Sequence, residues 1–88
     1  MSNKLDLNRN LKIAIRVVSG ETMKSVGSDY SISIGRVKQI TKNTLLKMAS
    51  HYPNIYVWEE ILFMRKKDWV ELGDVFKESL LKMKDEIS

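Results

Sequence analysis

Between Thr22 and Ile40 the chain reads TMKSVGSDYSISIGRVKQI, and this stretch leaves few folding options. Met23, Val26 and Tyr30 recur three and four residues apart, the mark of one inward helical face. Thr22 stands where a helix N-cap belongs. Gly27, with no side chain, permits close approach by the next helix at some cost in helix propensity. Tyr30-Ser31-Ile32 reads as a tight turn, with Ile32 as an apolar plug beneath it and Ser33 as the cap of a second helix. That helix runs from about Ile34 to Met48 or beyond, with Val37, Ile40, Thr44, Leu45 and Met48 inward. Two short helices meeting across such a turn form a helix-turn-helix.

The flanks extend the helical pattern. Leu7, Leu11, Ala14, Ile15 and Val18 form one stripe, and Ile13 and Val17 widen it, so this helix should be buried over much of its surface. Lys12 and Arg16 lie on its outer side. Ser19-Gly20 should stop it, since glycine accepts the left-handed conformation of a helix end. Beyond the third helix, His51-Tyr52-Pro53-Asn54 breaks the pattern. Two helices are then expected, Ile55 to Lys67 (its first three residues could also read as a strand) and one capped by Asp68. Trp69, Leu72, Phe76, Leu80, Met83 and Ile87 make a strong apolar stripe on the latter. The expectation is an all-α fold: a small helical domain with a central helix-turn-helix and two additional C-terminal helices. Residues 1–50 would be the DNA-binding region and 51–88 a packing or dimerisation region. Trp69, Leu72, Phe76, Leu80 and Met83 are the expected dimerisation stripe. The alternative left open is that they cover their own helix-turn-helix.

Charge reinforces this division. Residues 1–50 hold nine Lys and Arg against Asp6, Glu21 and Asp29, a balance of +6, whereas residues 51–88 balance at −2. A positive surface favours phosphate backbones through counterion release. At 88 residues the chain makes one small domain with a marginal core, which a partner copy or a docked terminal helix would assist. Without cysteine it has no disulfide framework, thiolate metal site or thiol nucleophile. MSNKLDLNRN lacks the apolar core of a signal peptide, and the apolar runs are too short to span a membrane. A cytoplasmic protein is expected.

Thr22-Met23-Lys24-Ser25-Val26-Gly27, Tyr30-Ser31-Ile32-Ser33, Arg36-Val37-Lys38-Gln39-Ile40 and Leu45-Leu46-Lys47-Met48 together resemble the C-terminal promoter-reading domain of bacterial sigma factors. That domain reads T-L-x-x-V/I-G, an aromatic or apolar residue, a turn, then R-I/V-R-Q-I and A-L-x-K-L. The resemblance spans roughly Arg9 to Met48. It implies a stand-alone, sigma-like transcription regulator that binds double-stranded DNA, with Lys38 keeping a basic contact role and Gln39 its polar position. It also implies a possible second partner, RNA polymerase or an anti-sigma protein, which a sigma mimic would bind. The sequence departs from the family at Ile34 and Gly35, where a basic and an acidic base-reading residue are usual.

A recognition helix presents its N-terminal turns to base edges. Ser33, Ile34, Gly35, Lys38, Gln39 and Lys42 face outward there. Gln39 can pair with an adenine edge, Lys38 can donate to guanine and Ile34 can touch a thymine methyl. Gly35 allows close approach and reads nothing. Lys24, Ser28, Ser31, Arg36, Lys42 and Lys47 are candidate phosphate contacts, which position without specifying. Arg36 also has a structural alternative, an ion pair with Asp29 or Glu21. With so few readers, two copies on two half-sites would sharpen specificity, so a homodimer is expected. Trp58, Phe63, Trp69 and Phe76 read first as core, and Tyr52 and Tyr56 as pins for the loop at Pro53. The single histidine, His51, sits at a helix end, and no metal cluster, phosphate-binding glycine pattern or nucleophile-base pair accompanies it. No enzyme activity, catalytic residue, metal or cofactor is expected.

Overall fold

A computed structural model describes residues 4–87. Six helices follow one another: α1 (Lys4–Val18), α2 (Met23–Tyr30), α3 (Ile34–His51), α4 (Trp58–Leu62), α5 (Lys66–Glu71) and α6 (Gly73–Ile87). There is no strand among the described residues, so the strand option at Ile55 falls away.

α1 is the hub, packing on α2, α3, α5 and α6. Its sequence explains this, because Leu11, Ile13, Ala14, Val17 and Val18 are all fully buried and cover more than one face. Val26, Val37, Ile40, Leu45, Met48 and Ala49 join them from the helix-turn-helix, and Ile61, Trp69, Phe76, Leu80 and Met83 from the C-terminal part. The two halves therefore share one core. The radius of gyration, 11.9 Å, is what a single compact chain of this length should have, about 12 Å.

Two helix ends use the same device. After α1, the Gly20 N–H donates to Val17 O and the Glu21 N–H to Arg16 O, with Gly20 at φ 103°. After α2, the Ser31 N–H donates to Ser28 O and the Ile32 N–H to Gly27 O, with Ser31 at φ 56°. Both are the paired closure that satisfies the last carbonyls of a helix. The first was legible from Gly20; a serine in the left-handed region was not expected.

The C-terminal part departs from the expectation in two ways. It holds three helices, because the anticipated long last helix breaks at Leu72 and restarts at Gly73. Gly73 is buried against the end of α1, and a Cβ there would stand 2.1 Å from the Val18 carbonyl oxygen. Asp68, expected as the cap of the last helix, lies instead inside α5 as its third residue, where it accepts from the N–H of the N-cap Arg65 at 2.9 Å. Second, Trp69, Phe76, Leu80 and Met83 are between 0% and 3% exposed inside their own molecule. Only Leu72 of the expected dimerisation stripe is open to solvent, at 41%. The stripe is consumed within one chain, so a dimer seam along it is corrected to an internal seam. The side chain of Ile87 lies outside the described ones. Trp58 and Phe63 are also corrected: both are exposed, Phe63 at 80%. Tyr56 does pin its loop, with its hydroxyl 2.6 Å from Ser79 Oγ on α6.

Candidate nucleic-acid interface

The helix-turn-helix is set by its caps. Thr22 Oγ1 accepts from the Ser25 N–H and Ser33 Oγ accepts from the Arg36 N–H, each at 3.1 Å. Each satisfies one of the orphan donors of a helix N-terminus. Between the two caps, residues 31–33 make the turn and Ile32 packs against the core beneath it. Gly27 is buried at the closest approach. A Cβ there would lie 2.6 Å from the Ile32 carbonyl oxygen and 3.3 Å from Val37 Cγ2. The turn's own backbone thus constrains Gly27 more than the following helix does.

One side of α3 is spent on the core, through Val37, Ile40, Thr41, Thr44, Leu45 and Met48. At 3.6 residues per turn, the midline of the opposite side is Gly35, Gln39, Lys42 and Leu46. Lys38 lies on one flank of that line, and Arg36, Asn43 and Lys47 on the other. Ser33, Ile34, Gly35, Arg36, Lys38 and Gln39 are exposed, as are Lys24 and Ser31, while Lys42 is half-buried. Gly35 has no neighbour within 4 Å of where a Cβ would stand. The α3 residues singled out from the sequence therefore lie on the side of that helix turned away from the core, with Lys42 only partly open to solvent. Beside its Arg36 flank is a hollow of about 450 Å³ between α1 and α3, lined by Asn10, Asn43 and Lys47 among others. Asn10 belongs to this surface only through tertiary packing, and no spacing in the sequence announces it.

The local electrostatics correct one expectation. Arg36 pairs with neither Glu21 nor Asp29. Arg16 of α1 takes both, with its Nη2 2.7 Å from Glu21 Oε1 and 2.7 Å from Asp29 Oδ2. Its guanidinium also lies 5.9 Å from the centre of the Tyr30 ring. Arg16 bonding holds the Glu21 carboxyl below its usual range, and Glu21, then Asp29, push the Arg16 guanidinium up. This clamp fixes the α1–α2 corner to the end of α2. It also engages two of the three carboxylates in residues 1–50 with one guanidinium, so the cluster keeps a net charge of −1. Among the described residues, no carboxylate pairs with Lys24, Arg36, Lys38, Lys42 or Lys47. Arg36 instead donates from Nη1 to Gln39 Oε1 at 2.7 Å.

No family model, curated protein or solved structure matches this chain. No described helix is long and apolar enough to cross a membrane.

Proposed function

We propose that this chain is a DNA-binding transcriptional regulator of sigma-like type, acting in the cytoplasm with α3 in the major groove. The observation that carries the reading is the accessible, carboxylate-free edge of α3. Arg36, Lys38 and Gln39 are solvent-exposed there, next to a three-residue turn of the length helix-turn-helix motifs use. In this reading Gln39 and Lys38 meet base edges, and Ile34 meets a thymine methyl. Lys24, Ser31, Arg36, Lys42 and Lys47 hold phosphates, and Ser33 keeps its hydroxyl proton to donate while its oxygen caps α3. Selection from a random duplex library, followed by gel shift of the winners, tests it. A recovered motif whose binding weakens on Lys38→Ala and Gln39→Ala supports the reading; failure to enrich any sequence contradicts it.

One observation favours a second reading. Ile34 is 53% exposed at the leading end of α3, where an apolar side chain suits a protein surface as well as a base methyl. A sigma mimic docking on RNA polymerase or an anti-sigma protein would use Ile34 and keep its affinity when Lys38 and Gln39 become Ala.

A further inference from the structure

Apolar side chains that the core does not claim gather around α4, α5 and the start of α6. Ile55 is 63% exposed, Val57 52%, Phe63 80% and Val75 50%. They line two hollows of about 340 and 210 Å³, which share Glu60, Met64 and Leu72 as a common wall. The two form one apolar trough. Its lining also holds Glu60, Asp68 and Glu71, and no Lys or Arg. Arg65, Lys66 and Lys67 lie on the same stretch of chain but do not line it. Asp68 is committed to the Arg65 N–H, whereas Glu60 and Glu71 have no ion-pair partner among the described residues.

We infer that this trough docks a partner protein through an apolar segment flanked by Lys or Arg. Phe63 and Val75 supply exposed apolar surface that is unfavourable in water, and contiguous surface of that kind marks interaction sites. The unpaired carboxylates set the sign of the partner, since complementary charge steers encounter and suppresses wrong partners. A second copy fits worse. A two-fold interface would lay the trough on itself and bring like carboxylates face to face. The trough shares no lining residue with α2 or α3, so the inference stands or falls apart from DNA binding.

The test uses the full chain and a fluorescently labelled amphipathic Leu/Lys helical peptide, with a Leu/Glu twin as control. Anisotropy should show the basic peptide binding at least about tenfold tighter than the acidic one. Phe63→Ser with Val75→Ser, both at exposed positions, should weaken it by about tenfold with an unchanged melting temperature. Glu60→Lys with Glu71→Lys should invert the preference. Equal binding of the two peptides, indifference to the Phe63 and Val75 changes, or a dimer in sedimentation that Phe63→Ser dissolves would each overturn the inference.

Discussion

Arg36 Nη1 donates to Gln39 Oε1 across one turn of α3 at 2.7 Å. Because a guanidinium only donates, the bond fixes which end of the Gln39 amide faces Arg36 and leaves its NH₂ pointing elsewhere. The amide oxygen keeps a second lone pair. Gln39 is thereby held in one orientation before any duplex arrives, and adenine reading needs both ends of the amide correctly placed.

The two residues should therefore act as a unit in DNA binding. Gln39→Ala should cost about 1–3 kcal/mol of discrimination at one base pair. Arg36→Ala should weaken binding generally and also blur that same position. A double-mutant cycle on the selected duplex checks this: the combined loss should be smaller than the sum of the two. Simple additivity would mean that Arg36 does not orient Gln39.

Gly73 should tolerate no side chain. Gly73→Ala would drive a methyl into the Val18 carbonyl, where the nearest approach is 2.1 Å, and backbone cannot yield as a flexible side chain can. Overpacking of this kind costs about 1–3 kcal/mol. Urea unfolding should show the midpoint falling by the corresponding amount. Gly35→Ala, at an exposed helical site with free space around it, should instead raise stability slightly.

Trp69 is fully buried, and its indole Nε1 has no acceptor among the described residues. Trp69→Ala should cost about 3–5 kcal/mol through the cavity it leaves. Trp69→Phe should cost much less, because removing an unsatisfied buried donor returns about 1–3 kcal/mol against the lost volume. Denaturant melts of the two variants give the comparison directly.

How far the sequence could be read follows from the range of each interaction. The caps at Thr22 and Ser33 and the inward face of α3 depend on neighbours within a turn or two, and they were legible. The break at Gly73 was not. The three- and four-residue spacing runs unbroken from Trp69 through Leu72 to Phe76, so periodicity sees one helix where the structure has two, with Gly73 packed against the Val18 carbonyl at the start of the second. The apolar stripe on α6 declared that something covers it without saying what, and the cover is the same molecule. Arg16 rather than Arg36 meets Asp29 because folding brings α1 to the end of α2, which no local spacing encodes. Of the candidate interface, the α3 residues were visible by helical periodicity. The Arg16 clamp and Asn10 were not, since both belong to the surface only after packing.

Acid should loosen the helix-turn-helix corner. Arg16 holds Glu21 below the usual carboxylate range, as His51 does Glu86 across α3 and α6. A depressed folded pKa gives stability that is complete above the unfolded value, about 4.3 for Glu, and is lost as pH falls through the lower folded value. Melting temperature should fall over that acidic range, and Glu21→Gln should flatten part of the fall. A fall of equal size in Glu21→Gln would show that the Arg16 clamp contributes nothing to the acid response.

The most direct test of the DNA-binding proposal is the affinity for a cognate duplex measured as salt rises. Plotted on logarithmic axes, affinity should fall linearly, with a slope of about −0.9 for each phosphate engaged. Lys42→Ala or Lys47→Ala should each reduce that slope by about 1. Binding that ignores salt, or a slope unchanged when these lysines are removed, would contradict the placement of α3 against the phosphate backbone.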